Sequence, residues 1–510
     1  MTGLETTRND GNVRADVVRR RRTPLIVATL TVAVLVVAVP FAAHRLSEPA
    51  GPSATSVAAG APAANDPDTL SDADAVGDPD AESGIAKART EAASKQNQAA
   101  VVTNAAPAGW SGESLFNATG NDWEPAVAAA PNSAYVYALT TRYGGTPACK
   151  SNCPNPALVL RVSSNAGATW GAESYLCACK NIKAQNDPEL VVLASGTVYA
   201  AWMNGWAIVF SKSTNHGATW STPVTVVGNL AWSDKPIMVA SPTGKDVFVA
   251  FNKSDAYVAV SHDSGLTWTQ VVSEANGRYH FANGGTYLPD GTVAFGEVAM
   301  AQDSTGPSQV QVHRSTNNGA SWSVVNVDTA QEMPHCVSAG CSIDFYGPQA
   351  ALATDATGRL VLAYNANATA LAPQRLLVRT SLDKGVTWTS PKDVTGITGS
   401  GTGTAGAAFP AVAATGTGDL RLLFMDDRSG AAGWATWYTR STDGGSTWSS
   451  PLMLSDATSG PSYVTAAGFA QPYGDYGQIA VRADGGTIAA WGEGVSYTGP
   501  GGTWLTRTTP

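Results

Sequence analysis

Ser381-Leu-Asp-Lys-Gly-Val-Thr-Trp388 is one of six near-copies of a single phrase in this chain. The others are Ser164-Asn-Ala-Gly-Ala-Thr-Trp170, Ser213-Thr-Asn-His-Gly-Ala-Thr-Trp220, Ser261-His-Asp-Ser-Gly-Leu-Thr-Trp268, Ser315-Thr-Asn-Asn-Gly-Ala-Ser-Trp322 and Ser441-Thr-Asp-Gly-Gly-Ser-Thr-Trp448. Their first serines lie 49, 48, 54, 66 and 60 residues apart. A unit recurring at that length marks stacked blades or an array. One such unit cannot bury its own apolar face, so the set has to close on itself.

Each copy sits between short runs rich in Val, Ile and Thr, which is the pattern of a hairpin. The Asp or Asn accepts hydrogen bonds from amides of its own turn, and the glycine takes a positive φ that most side chains disfavour. The tryptophan enters the next strand and wedges its large apolar area between neighbouring sheets. Six near-copies on equivalent hairpins read as fold-building turns rather than as catalytic or calcium-binding carboxylates.

The six phrases resemble the Asp-box, or bacterial neuraminidase repeat, over about residues 120 to 510, because serine, Asp or Asn, glycine and tryptophan recur in register. The resemblance implies a sialidase-like β-propeller. Such repeats occur in sialidases and in many other secreted propellers, so it implies the fold more firmly than the reaction.

Apolar strands behind polar corners count the blades: Glu124-Pro-Ala-Val-Ala, Asp187-Pro-Glu-Leu-Val, Lys235-Pro-Ile-Met-Val, Gly285-Thr-Tyr-Leu, Pro348-Gln-Ala-Ala-Leu, Phe409-Pro-Ala-Val-Ala and Asp475-Tyr-Gly-Gln-Ile-Ala-Val. The seventh unit offers three strands, ending in Gly502-Thr-Trp-Leu-Thr-Arg507. The segment near Ser111-Gly-Glu-Ser-Leu-Phe-Asn117 is predicted to add its outer strand, closing the ring and hiding the sheet edges. The expectation is therefore an all-β, seven-bladed propeller of four-stranded antiparallel blades over residues 109–510. Six blades are the alternative, since true sialidases are six-bladed and one unit would then be an insertion.

Of 510 residues, 44% are hydrophobic and only 14% charged, enough apolar matter for a large core. The net charge of −9 argues against a nucleic-acid partner, and no basic stripe crosses the repeats. Arg19 to Arg22 precede an uncharged apolar stretch, Thr23 to Ala43, roughly 31 Å long as a helix. It reads as a membrane anchor or a signal segment, with the basic residues 1–22 on the cytoplasmic side and the repeats outside. Residues 44–108, rich in Ala, Ser, Pro and Asp, read as a flexible tether. Asp72-Ala-Asp-Ala-Val-Gly77 falls short of a calcium loop, since Ser83 stands where Glu is required. Six cysteines suit an exported chain. Cys336 is expected to pair with Cys341, while Cys149 and Cys153 pair across to Cys177 and Cys179, a C-x-C bridge being strained. No paired C-x-x-C supports a zinc site with His335, so no metal and no cofactor is predicted, and the protein is expected to be a monomer.

In this topology the repeated turns lie on one face, and the corners before the first strands and after the second strands meet at the other, around a central channel. That mouth collects Glu124, Asp187, Asp234, Arg278, His280, Asn283 and Gln349 from the first set, and Arg142, Glu297, Asn365, Asp427, Arg428 and Glu493 from the second. Convergent polar groups of this kind suit a carbohydrate, or form an ordinary solvated rim.

The last unit, Tyr476-Gly-Gln-Ile-Ala-Val-Arg-Ala-Asp-Gly-Gly-Thr-Ile-Ala-Ala-Trp-Gly-Glu493, resembles the sialidase segment that begins with a nucleophilic tyrosine and ends with a glutamate. The resemblance implies Tyr476 as nucleophile, Glu493 as the glutamate supporting an arginine, and Asp427 or Glu297 as an assisting acid. The three arginines that grip a sugar carboxylate in that family are not matched: Trp123 stands in Asp122-Trp-Glu-Pro125 where the first should be. Arg142, Arg278 and Arg428 are the available replacements. Two functions follow: a sialidase-type exo-glycosidase acting on an acidic sugar, or a non-catalytic surface module binding glycan or protein at the same mouth.

Overall fold

The repeated phrase folds the same way in each of its six positions. In the fifth copy the Ser381 hydroxyl donates to Asp383 Oδ1 (2.8 Å) and accepts from the Gly385 amide (2.9 Å). Asp383 also accepts from the Thr387 amide (2.8 Å) and hydroxyl (2.6 Å). Where the acid is an amide the last bond reverses, Asn215 Nδ2 donating to Thr219 Oγ1 at 2.8 Å. The turn needs two successive left-handed residues, Lys384 at φ 62° and Gly385 at φ 81° in this copy, so the glycine answers only half of the demand that the sequence reading gave it. The first copy begins at Ser163, whose hydroxyl donates to Asn165 Oδ1, one residue before the Ser164 of the sequence reading.

The structure, a computed structural model, describes residues 106–117, 121–144, 154–176, 183–228, 234–252, 255–302, 305–333, 348–396, 406–426, 428, 435–455, 464–465, 468–469, 477–494 and 501–509. All lie in one unit of the chain, Ala61–Pro510. The six cysteines, His335, the segment Thr23 to Ala43, Asp427 and Tyr476 lie outside the described residues. No helix among the described residues is long and apolar enough to cross a membrane.

Seven four-stranded antiparallel sheets follow one another. Each is ordered from its first strand, innermost, to its fourth. Blade 1 is Asn121–Ala129, Val136–Tyr143, Ala157–Ser163 and Ser174–Tyr175; blade 2 is Gln185–Val192, Val198–Asn204, Ala207–Ser213 and Val224–Val227. Blade 3 is Asp234–Ala240, Val247–Asn252, Ala256–Ser261 and Thr269–Glu274; blade 4 is Tyr279–Tyr287, Val293–Met300, Ser308–Ser315 and Ser323–Ala330. Blade 5 is Ala350–Thr354, Leu360–Ala366, Arg375–Ser381 and Lys392–Asp393; blade 6 is Ala407–Thr415, Asp419–Asp426, Ala435–Ser441 and Leu452–Met453. Blade 7 takes Gln478–Val481, Thr487–Gly494 and Gly501–Arg507 from the end of the chain and Ser114–Leu115 from before blade 1. Ser114 pairs with Leu505 and Leu115 with Trp504, and Trp110 bridges to Thr508. The predicted closure through Ser111–Asn117 is thus the observed one, and the count is seven, not six.

Apolar residues of adjacent blades form one core cluster for each of the seven junctions. The tryptophan of each repeated turn packs into the junction with the preceding blade: Trp220 joins the cluster of blades 1 and 2, and Trp388 that of blades 4 and 5. Trp170 packs at the closing junction of blades 7 and 1. Blade 7 has no such turn, and at its junction with blade 6 Trp110 and Trp504 occupy the cluster instead, Trp110 meeting Tyr438 edge-on at 4.8 Å. Blades 4 and 5 approach closely at Gly296, where a Cβ would lie 2.2 Å from the Ala350 carbonyl oxygen.

Candidate functional site at the channel mouth

The first strand of a blade enters the channel through a bulge. Register slips between Trp123 and Ala126, Asn186 and Glu189, Asp234 and Ile237, and Ala408 and Ala411. In each case an X-Pro pair supplies the extra residue, and X has a positive φ: Glu124 51°, Asp187 49°, Lys235 39° and Phe409 55°. A residue before proline is pushed toward extended backbone, so each costs about 1–3 kcal/mol of local strain. The bulge re-aims the side chains that follow it. Tyr476-Gly477 holds the corresponding place in blade 7 by sequence.

Past the bulges, first strands of all seven blades wall a cavity of about 260 Å³. Its polar lining is one carboxyl, one ammonium and three amides: Glu189, Lys235, Asn283, Gln349 and Gln478. Glu189, Gln478 and Asn283 are held by bonds that cross from blade to blade, and Gln349 by one within blade 5. Gln478 Nε2 donates to Glu189 Oε1 (2.9 Å) while its Oε1 accepts from the Val127 amide (3.0 Å). Asn283 Oδ1 accepts from the Ala350 amide (3.1 Å), and Asn365 Oδ1 from the Gln349 amide (2.9 Å). Burial inside the channel pushes the Glu189 carboxyl up to about 8, against the opposing pull of Lys235 and of the Gln478 bond. At neutral pH it therefore carries a proton and is able to donate it.

The residues singled out by sequence divide in two. Those of the rim are interior fixtures. Glu124 is buried, and its Oε2 accepts from the Asp187 amide at 3.0 Å. Trp123 bonds Asn121 Oδ1 through Nε1 (3.1 Å) and meets Tyr143 edge-on. Glu493 accepts from Trp491 Nε1 at 2.8 Å. Asp234 opens the first strand of blade 3. Glu297 is buried on the second strand of blade 4, where burial and then Glu274 push it up to about 8.

The arginines are engaged elsewhere. Arg142, 2% exposed, holds Asp122 through Nε (2.7 Å) and Glu173 through Nη1 (2.6 Å). Arg278 donates to the carbonyls of Ala299 (3.3 Å) and Pro307 (2.8 Å). Arg428 is paired with Asp426 and stacked 4.3 Å over Trp437. None of the three lines the channel cavity among the described residues. Arg421, Arg440 and Arg482 face a second cavity at the opposite end, where the first-to-second-strand turns meet. Two of them share Asp419, at 2.7 Å each, and Arg482 pairs with Asp484.

Sequence reading passed over Glu189 and Gln478, which it placed inside apolar strands. The signal was present: two residues after the X of each bulge stand Ala126, Ile237 and Ala411 in blades 1, 3 and 6, but Glu189 and Gln478 in blades 2 and 7. Trp206, half-buried in the hairpin between Asn204 and Ala207, adds an aromatic at the same end of the wheel.

No family model matches this chain. Over 174 residues it is 30% identical to a xyloglucanase from Paenibacillus sp., a stretch that is 29% of this chain. The chain spans only 16% of that protein's length. Among solved structures, an ulvan lyase of polysaccharide lyase family PL25 is similar at 12% identity and a TM-score of 0.46, over 76% of this chain and 93% of its own. The intramolecular trans-sialidase from Ruminococcus gnavus is similar at 13% identity and 0.40, over 80% and 98%. YCF48 bound to D1 peptide is similar at 13% and 0.44, over 80% and 100%.

Proposed function

We propose that this protein recognises a neutral glycan at the channel mouth, outside the cytoplasm, held to the membrane by its N-terminal segment or secreted. The observation that carries the reading is the composition of the channel lining. Three amides, a protonated carboxyl and one ammonium match sugar hydroxyls, which both donate and accept. An anionic sugar would need guanidinium groups to compensate its carboxylate, and Arg142, Arg278 and Arg428 are already bound to other partners. Partial similarity to a xyloglucanase supports a carbohydrate partner. The engagement of Arg142, Arg278 and Arg428 away from the channel makes the acidic-sugar form of the reading, with Tyr476 as nucleophile assisted by Asp427, Glu297 and Glu493, the weaker one.

Hydrolysis of a neutral glycoside is the second reading, and Glu189 favours it. A carboxylic acid that stays protonated at neutral pH is what protonating a glycosidic oxygen requires. A glycan array carrying neutral and sialylated or uronate-containing glycans tests the proposal. Retention of neutral glycans supports it; retention of acidic glycans alone overturns it. Turnover of a fluorogenic sialoside that is abolished by Tyr476→Phe would establish the acidic-sugar mechanism instead.

A further inference from the structure

Away from the channel, the junction between blades 3 and 4 holds a cluster that neither the core nor the mouth uses. Glu274 ends the fourth strand of blade 3, while His280 and His313 lie on the first and third strands of blade 4. Glu274 Oε2 is 3.8 Å from His280 Nε2 and 3.9 Å from His313 Nε2. Glu297 Oε2 stands behind His280, 3.7 Å from its Nδ1, and beside His313, 3.6 Å from its Nε2. The imidazoles are 1% and 0% exposed. Too far apart for hydrogen bonds, these groups leave two buried atoms without partners, Glu274 Oε2 and His280 Nδ1. A buried polar atom left so keeps its full desolvation penalty, and here two of them sit in one cluster.

We infer that Glu274, His280 and His313 form a zinc site that clasps blade 3 to blade 4. Zinc bonds of about 2.0–2.1 Å in a tetrahedron set ligand atoms roughly 3.3 Å apart, so the two Glu274 spacings close onto an ion with shifts of about half an ångström, and the two imidazole nitrogens draw together further. The three candidate ligand atoms all lie within 4.8 Å of one another. Two imidazoles and a carboxylate are a zinc-type donor set with a fourth position left for water. Burial keeps both imidazoles neutral, the form that donates a lone pair: His280 is lowered to about 4 and His313 well below its ordinary range. The outer partners are also in place. Ser273 Oγ lies 3.0 Å from His313 Nδ1 and fixes that ring with Nε2 inward. Glu297, held protonated by burial, faces His280 Nδ1 at 3.7 Å and is placed to become that ring's outer partner when a metal binds. The inward nitrogens rest on amide oxygens, His280 Nε2 on Asn276 (3.0 Å) and His313 Nε2 on Gln311 (3.1 Å), contacts that an ion would take over.

The test uses the full chain, stripped with a chelator and titrated with Zn²⁺ by calorimetry, then loaded with Co²⁺ for absorption spectroscopy. One zinc per chain is expected, with a raised melting temperature and a tetrahedral cobalt spectrum lacking any thiolate charge-transfer band, which separates this site from the cysteines. Glu274→Gln, on a half-buried residue at a strand end, is expected to weaken zinc by more than the roughly 10–100-fold that loss of an outer partner costs. Its metal-free melting temperature should match that of the metal-free parent. His313→Asn serves as the second variant. Zinc bound with equal affinity by parent and Glu274→Gln, a thiolate band, or no stoichiometric zinc in the folded parent would each overturn the inference.

Discussion

The two ends of the propeller are built on opposite plans. At one end six turns repeat the same serine, acid or amide, glycine and tryptophan with the serine's bonds the same to within 0.1 Å, as Gly167, Gly265 and Gly385 each donating 2.9 Å to the turn's serine illustrate. At the other end the position two residues past the X of each bulge holds Ala126, Glu189, Ile237, Ala411 or Gln478, and the last four of these line the cavity. Repetition is what closure of a wheel demands, because each junction has to bury the same shape. Variation at equivalent positions has no such cause, and it converges on one cavity. The difference teaches that in this chain identity between blades marks architecture and disagreement between blades marks the candidate site.

The contrast predicts where damage goes, and the largest effect is at Arg142. Replacing it by leucine leaves Asp122 buried without its cation, at a cost of about 3–5 kcal/mol in chemical denaturation. A substrate arginine would behave otherwise: stability would hold and only ligand affinity would fall. Gly265→Ala comes next. Its Cβ would meet Phe210 Cε1 at 2.1 Å on a backbone at φ 80°, for which overpacking and the left-handed penalty together predict a loss of about 2–4 kcal/mol. Gly277→Ala is its control, at φ 70° with nothing within 4 Å of the new Cβ; it should cost about 1 kcal/mol, and equal losses at both glycines would show that the turns are not packed as described.

Glu189 gives a smaller effect of defined sign. Its folded pKa of about 8 lies above the ordinary value of 4.5, so the folded state holds the proton more tightly. The associated stability is complete below about pH 4.5 and is lost as pH rises through 8. Glu189→Gln should therefore flatten the fall in melting temperature between pH 5 and 9 and gain about 1–2 kcal/mol at the alkaline end, after allowance for partial exposure to solvent. A parallel pH profile in the variant would contradict the channel geometry. Smallest of all is Asp383→Asn. Three of the six turns already carry asparagine at this place, among them Asn215, so the melting temperature should move by no more than about 1 °C.

The wheel was legible in the sequence because its information is periodic. The turn phrase fixes where hairpins fall, the intervals between copies fix the blade length, and a three-stranded last unit points to Ser114–Leu115 as the missing edge. The site was only half legible, since it depends on which way side chains point after the X-Pro bulges. Glu189 was hidden inside an apparently apolar strand, and nothing in the spacing of Arg142 said that Asp122 and Glu173 would claim its guanidinium. Nor does linear distance announce that Glu274, at the end of one blade, would lie beside His313 in the middle strands of the next.

Calorimetric titration of a neutral oligosaccharide found on the array, into the parent chain and into Lys235→Ala and Gln478→Ala variants, tests the central claim most directly. The account predicts binding to the parent and at least tenfold weaker binding to both mouth variants, while Asp383→Asn at the opposite end binds as the parent does. Equal affinity across all four proteins, with their folds intact, would contradict it.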